Sequence, residues 1–173
     1  SGEDPSDPSV WPPLDGRGMA ASEKNVLYRN VKGKFVEIKD SGLSVEKDTR
    51  AILLADFDNN GRVDALITNN DNSVQVFRNE SDAGNWLQVK LHGRPPNTDA
   101  AGARITLTYK AGTQMREVNI GNGFGGGSML RQHFGLGENK VVHKVEVMWP
   151  DGSKQTIMNP KINALLEITQ NAS

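Results

Sequence analysis

Apolar and polar positions alternate along most of the chain from Asn25 onward, and no segment sustains a helical period. Leu87, Val89 and Leu91 share one face, with Gln88 and Lys90 on the other. Ile105, Leu107 and Tyr109 alternate with Arg104, Thr106 and Thr108; Val118 and Ile120 alternate with Glu117 and Asn119; Val145, Val147 and Trp149 alternate with Lys144, Glu146 and Met148. Leu166 and Ile168 close the series. Successive side chains of a strand point to opposite faces, so each segment predicts a strand with one buried face. Residues 51–55 form a continuous apolar run instead, the pattern of a strand buried on both faces. Shorter strands are expected over 26–30, 34–38, 63–68 and 73–78, and another over 128–134 that ends at Gly135-Leu136-Gly137. Gly33 and the cluster Asn69-Asn70-Asp71-Asn72 are turn signals between them. Short strands with one apolar face each, punctuated by Gly, Pro and Asn, predict an all-β chain whose second half is an antiparallel β-sandwich.

The chain divides into three parts. Residues 1–24 are polar and Pro-rich, and Pro12-Pro13 after Trp11 exclude helix interior or central strand, so a tail or linker is expected there. Trp11 is the one residue in it suited to dock on a folded body. Residues 25–84 form a β unit and residues 85–170 the sandwich. Leu27-Tyr28-Arg29-Asn30 is echoed by Val76-Phe77-Arg78-Asn79, 49 positions later, a spacing that suits one propeller blade. Propellers use typically about 4–8 blades. A single unit therefore predicts the end of a longer propeller protein, or a lone unit packed on the sandwich. A lone unit leaves strand edges and an apolar face uncovered. The short connection Asp82-Ala83-Gly84 favours the sandwich as the cover for 51–54 and 74–77. An exposed β-edge is the expected site for a protein partner, since edge addition uses main-chain hydrogen bonds.

The stretch Asp56-Phe57-Asp58-Asn59-Asn60-Gly61-Arg62-Val63-Asp64 carries the most chemistry. Oxygen side chains stand at loop positions one, three, five and nine, with Gly61 at position six. Ca²⁺ takes about 6–8 oxygen ligands, so a loop must wrap several around one point. Asp56, Asp58 and Asn60 supply alternate side chains, Arg62 its backbone carbonyl, and Asp64 closes the set. This is not an EF-hand: Ile67 stands where the bidentate Glu would be, and both flanks read as strand. A plain polar turn is the alternative. Three carboxylates without a cation repel at contact range, which favours a bound Ca²⁺ of structural character.

Composition narrows the function. The chain has 173 residues, 20 Lys plus Arg against 21 Asp plus Glu, and a net charge of −1, so no basic nucleic-acid surface is expected. Cys is absent, which removes thiol catalysis, disulfides and Cys-based zinc sites. No apolar run approaches the roughly 18–20 residues of a membrane span. No leader peptide is visible, which points to a mature or trimmed chain. Gly121-Asn122-Gly123-Phe124-Gly125-Gly126 matches a dinucleotide fingerprint, but no helix follows to receive a pyrophosphate, so the segment reads as a Gly-rich loop open to a partner contact. His92, His133 and His143 are scattered and read as structural or surface residues. Trp86, Trp149 and Phe124 offer a sugar-stacking platform, although Trp149 is in phase with the core residues Val145 and Val147. Asn79-Glu80-Ser81 and Asn171-Ala172-Ser173 are glycosylation sequons, relevant only to a secreting eukaryote.

Two resemblances follow from these residues. Leu53-Leu54-Ala55-Asp56-Phe57-Asp58 to Asp64, then Val76-Phe77-Arg78-Asn79, resembles an FG-GAP/VCBS-type repeat, the calcium-binding blade of integrin-like propellers. Asn85-Trp86-Leu87-Gln88-Val89-Lys90-Leu91, Gly102-Ala103-Arg104-Ile105, Gly121-Asn122-Gly123-Phe124, His133-Phe134-Gly135-Leu136-Gly137 and Val145-Glu146-Val147-Met148-Trp149-Pro150-Asp151-Gly152 resemble, in that order, the ASPIC/UnbV domain that follows such repeats. Asn60 stands where the repeat usually has Asp, which keeps an oxygen and removes a charge. Gly125-Gly126-Gly127 replaces the usual polar continuation of the loop. The resemblance implies an extracytoplasmic role in binding or adhesion. Together with the calcium loop, the balanced charge and the lack of a catalytic constellation, it predicts a non-catalytic protein–protein interaction or assembly module, secreted or periplasmic. The alternative is a carbohydrate-binding module using Phe124 or Trp11.

Overall fold

The computed structural model describes residues 24–39, 41–47, 49–69, 73–82, 84–121 and 129–172. Twelve strands and no helix occur among them: β1 (Leu27–Val31), β2 (Lys34–Ile38), β3 (Thr49–Ala55), β4 (Asp64–Asn69), β5 (Val74–Phe77), β6 (Asn85–His92), β7 (Arg104–Tyr109), β8 (Gly112–Glu117), β9 (Gln132–Gly137), β10 (Val142–Met148), β11 (Lys154–Met158) and β12 (Leu165–Thr169). The all-β expectation thus holds, and no helix of the described residues is long and apolar enough to cross a membrane.

The contacts separate the chain into two units, residues 1–49 with 69–73 and residues 50–68 with 74–173. The acidic loop therefore belongs to the same compact unit as the sandwich. The first unit contains the hairpin β1–β2, joined through Lys32 and Gly33, and the isolated bridge between Lys24 and Glu46. Both hairpin faces are exposed, with Phe35 at 73%. The expected tail, its Trp11, and the Gly-rich loop from 122 onward with Phe124 lie outside the described residues.

In the second unit two sheets face each other. One has the order β11-β10-β7-β8, the other β12-β6-β9. Their inward side chains are those the alternation selects: Leu87, Val89 and Leu91 from β6, Ile105 and Leu107 from β7, Phe134 and Leu136 from β9, Val145 and Val147 from β10, and Ile168 from β12. Each such side chain contributes roughly 1.5–3 kcal/mol on burial, so this cluster is the main source of stability. Trp149 joins it, as its phase with Val147 predicts.

Four sequence expectations are corrected. The sandwich is not wholly antiparallel, because β12 runs parallel to β6, with Leu166 opposite Val89. Ile120 does not extend a strand: β8 ends at Glu117, Val118 turns into the core, and Ile120 is exposed. Gln88 is not on a solvent face; it is 2% exposed, because β6 is covered on both sides. The run 51–55 is not buried on both faces either. In the three-stranded sheet β3-β4-β5, Ile52 (52%) and Val76 (65%) lie exposed, with Leu54 and Val74 like them. The opposite side of this sheet buries Ala65 and Ile67. Strand β11 had no counterpart in the alternation pattern, because none of its residues is buried.

Candidate metal centre

The acidic loop joins β3 to β4 and begins where both strands are best covered, at Ala55 and Asp64. Asp56 and Asp64 are buried, at 4% and 3%, while Asp58 is exposed. One carboxylate oxygen from each of the three lies within 4.8 Å of the others. Asp56 and Asp58, two residues apart, thus reach the same centre as Asp64, and hydrogen bonds within the loop hold its backbone. Asp56 Oδ1 accepts the Asn60 N–H at 3.0 Å and Asp56 Oδ2 the Gly61 N–H at 2.8 Å. Asp58 Oδ1 also accepts from the Asn60 N–H, and Asn60 Oδ1 accepts from the Arg62 N–H at 2.8 Å. Asp64 is fixed from both ends: Oδ2 accepts the Phe57 N–H at 3.0 Å, and Oδ1 the Asn79 N–H at 2.8 Å. Asn79 in turn donates to the Val63 carbonyl at 3.1 Å.

Asp58 alone of the three carboxylates has an ion pair among the described residues, to Arg78 at 3.0 Å. Desolvation raises the pKa of Asp58, but the hydrogen bonds from Asn60 and the charges of Arg78 and Arg62 outweigh it and hold the carboxyl below its ordinary value. Asn60 Nδ2 is buried with no hydrogen-bond partner. The donor set is hard oxygen throughout, which suits Ca²⁺ or Mg²⁺ rather than a thiolate- or imidazole-seeking metal. Asn60 Oδ1 keeps a second lone pair beyond its bond to Arg62, and each carboxylate likewise has acceptor capacity left. The residues present fit an oxygen-bound divalent cation.

Residues outside the loop clamp it to the sandwich. Buried Gln88 donates through Nε2 to Asp56 Oδ2 at 2.7 Å. Arg131 Nη1 donates to Asn59 Oδ1 at 2.6 Å and makes a longer contact of 3.5 Å with Gln88 Oε1. His133 Nε2 lies 3.0 Å from the Gly61 carbonyl, so Nε2 carries the proton and donates. The Trp86 ring stacks on His133 with centroids 6.3 Å apart and planes inclined by 15°. Gly61 has φ +87°, and a Cβ there would overlap the Trp86 indole. Sequence reading finds the loop but not these four clamps. Gln88 is hidden by alternation that assigns it to solvent. Trp86 and His133 carry no metal-ligand spacing, and Arg131 no motif. The platform expected of the aromatics is not formed by the described ones: Trp149 is in the core, and Trp86 packs on Gly61 and His133.

Comparison with known proteins finds similarity to one family and to one set of relatives. Residues 93–173 match the family model described as ASPIC and UnbV. Over 161 residues the chain is 30% identical to cartilage acidic protein 1 of Mus musculus, covering 86% of this chain and 25% of that protein. The match to the Homo sapiens protein of that name is also 30% over 161 residues, and that to the Xenopus tropicalis protein is 31% over 162 residues. The chain spans about a quarter of the length of these curated relatives.

Proposed function

We propose, starting from the match of residues 93–173 to the family described as ASPIC and UnbV, that the chain is a non-catalytic, calcium-binding interaction module that works outside the cytoplasm, secreted or periplasmic, within a larger assembly. The observation that carries the metal reading is electrostatic. Asp56 and Asp64 are buried beside Asp58 with no cationic partner among the described ion pairs. An ionised carboxylate out of water is costly unless it is paired or coordinates a metal. Backbone N–H groups offset part of that cost, and a divalent cation offsets the mutual repulsion that they leave. Asp56, Asp58, Asn60, Asp64 and the Arg62 carbonyl would hold it. Its role is to fix the loop, and through Gln88 and Asn79 the strands beside it. The same loop supports the reading of 25–84 as a repeat of FG-GAP/VCBS type.

The histidines support a non-catalytic role. His133 serves the Gly61 carbonyl, His92 faces Glu167 at 3.2 Å on the surface, and His143 is exposed. The relatives' name supports an extracellular setting. The exposed apolar side of β3-β4-β5 supports assembly, since soluble proteins rarely leave such faces in water unless they meet a partner.

Thermal melts with EDTA and with excess Ca²⁺, together with elemental analysis, test the metal. At a free Ca²⁺ of about 100 times Kd the added stability is roughly 2.7 kcal/mol, visible as a higher Tm. Asp58→Ala is expected to lose that shift. An unchanged melt with no bound metal would sink the reading.

A further inference from the structure

A cleft of about 420 Å³ opens beside the acidic loop, bounded by the end of β3, the end of β8 and the start of β9. Among the described residues all three are edge strands of their sheets. Two arginines, Arg116 and Arg131, line it. Neither has an ion pair with a carboxylate among the described residues. Arg116 is held over the Phe134 ring at 5.2 Å and donates to the Met115 carbonyl at 2.9 Å, and Arg131 is held by Asn59. Glu117, also on the wall, is occupied by Arg104 at 3.0 Å. The two cations are thus positioned by neutral or aromatic partners, which leaves their charge for something else. Amide groups of Gln132 and Asn119 and the apolar side chain of Met129 complete that side.

We propose that this cleft binds an acidic peptide segment of a partner protein, with a carboxylate received by Arg116 and Arg131. A guanidinium offers a planar fork of N–H donors that matches a carboxylate in two parallel hydrogen bonds. The mixed lining favours a peptide over a glycan. Leu54, Val63 and Met129 offer apolar contact, no Trp, Tyr or Phe stands among the lining residues to stack on a sugar, and the one aromatic ring there, His133, is already stacked on Trp86.

The acidic loop governs this site. Asp56 lines the same cleft and is joined to Arg131 through the Gln88 side chain. An uncompensated Asp56 repels an incoming carboxylate, whereas a cation in the loop cancels that repulsion. Calcium therefore strengthens peptide binding, a dependence that rests on the metal reading above. Occupation of the two Arg residues does not.

The test is fluorescence anisotropy with a labelled oligo-aspartate peptide, its oligo-asparagine counterpart and a hyaluronan oligosaccharide, each with excess Ca²⁺ and with EDTA. The oligo-aspartate is expected to bind, and Arg131→Gln and Arg116→Gln each to weaken it by about tenfold or more. Melts of each variant monitor folding, and Arg116→Gln, which leaves the loop contacts intact, keeps the test valid if Arg131→Gln fails to fold. EDTA is expected to weaken the wild-type complex. If elemental analysis finds no calcium and EDTA changes nothing, yet binding still falls in both Arg variants, the metal reading fails and the cleft stands. Equal binding of oligo-asparagine, or full binding by both Arg variants, overturns the proposal. Arg-dependent binding of hyaluronan without binding of oligo-aspartate overturns the peptide assignment in favour of an acidic glycan.

Discussion

Gly61 shows how much one position can carry. Its φ of +87° lies in the left-handed region that a side chain disfavours, and the Trp86 indole fills the space where a Cβ would stand. The backbone cost of a left-handed residue is roughly 1–2 kcal/mol, and overpacking adds about 1–3 kcal/mol. Gly61→Ala is therefore expected to destabilise the second unit by about 2–5 kcal/mol. A melt run in EDTA reads this cost apart from any metal, and an unchanged Tm contradicts it. Spacing alone identifies Gly61 as a turn residue. Its second duty, seating Trp86, is a contact between residues 25 positions apart in sequence that no local pattern reports. The same holds for Gln88, whose partner Asp56 lies 32 positions earlier.

At the scale of the element, β6 and the sheet β3-β4-β5 mark the two ways alternation misleads. A central strand such as β6 loses its solvent face when a loop lies across it, so a polar residue there becomes buried and must find a partner. An apolar run such as 51–55 predicts two covered faces, yet only one is covered in this chain. The energetic difference is measurable. Phe134, fully buried between the sheets, is expected to cost about 3–5 kcal/mol as Phe134→Ala. Ile52→Ser and Val76→Ser, on the exposed side, are expected to stay within about 0.5 kcal/mol of the parent in dilute solution. Urea melts compare them directly. A loss at Val76 as large as that at Phe134 means that this face is covered.

For the whole molecule the exposed apolar positions matter more than the buried ones. The side of β3-β4-β5 carrying Ile52, Leu54, Val74 and Val76 joins apolar surface to β3 and β5, the outer strands of this sheet among the described residues, a combination that invites pairing. The relatives are about four times longer than this chain, so such a face has further sequence to meet in proteins of that length. In isolation the chain is expected to self-associate as its concentration rises, and Ile52→Ser with Val76→Ser to reduce that association. Light scattering over a concentration series reads both effects. A constant monomer mass throughout removes the argument for assembly through this face.

Local pattern accounts for most of the strand segments, for the sandwich core and for the oxygen donors of the acidic loop. These depend on distances of a few residues: the two-residue period of a strand, and the alternate oxygens of Asp56, Asp58 and Asn60. The tertiary structure alone decided that β12 lies parallel to β6, that Gln88 is buried, that one side of β3-β4-β5 faces water, and that Arg116 and Arg131 share a cleft with Asp56. Periodicity tells a strand which way its side chains point, but not which surface will cover them. That is settled only when segments distant in sequence compete to bury the same apolar area, and the winning arrangement also fixes which polar groups must pair across it.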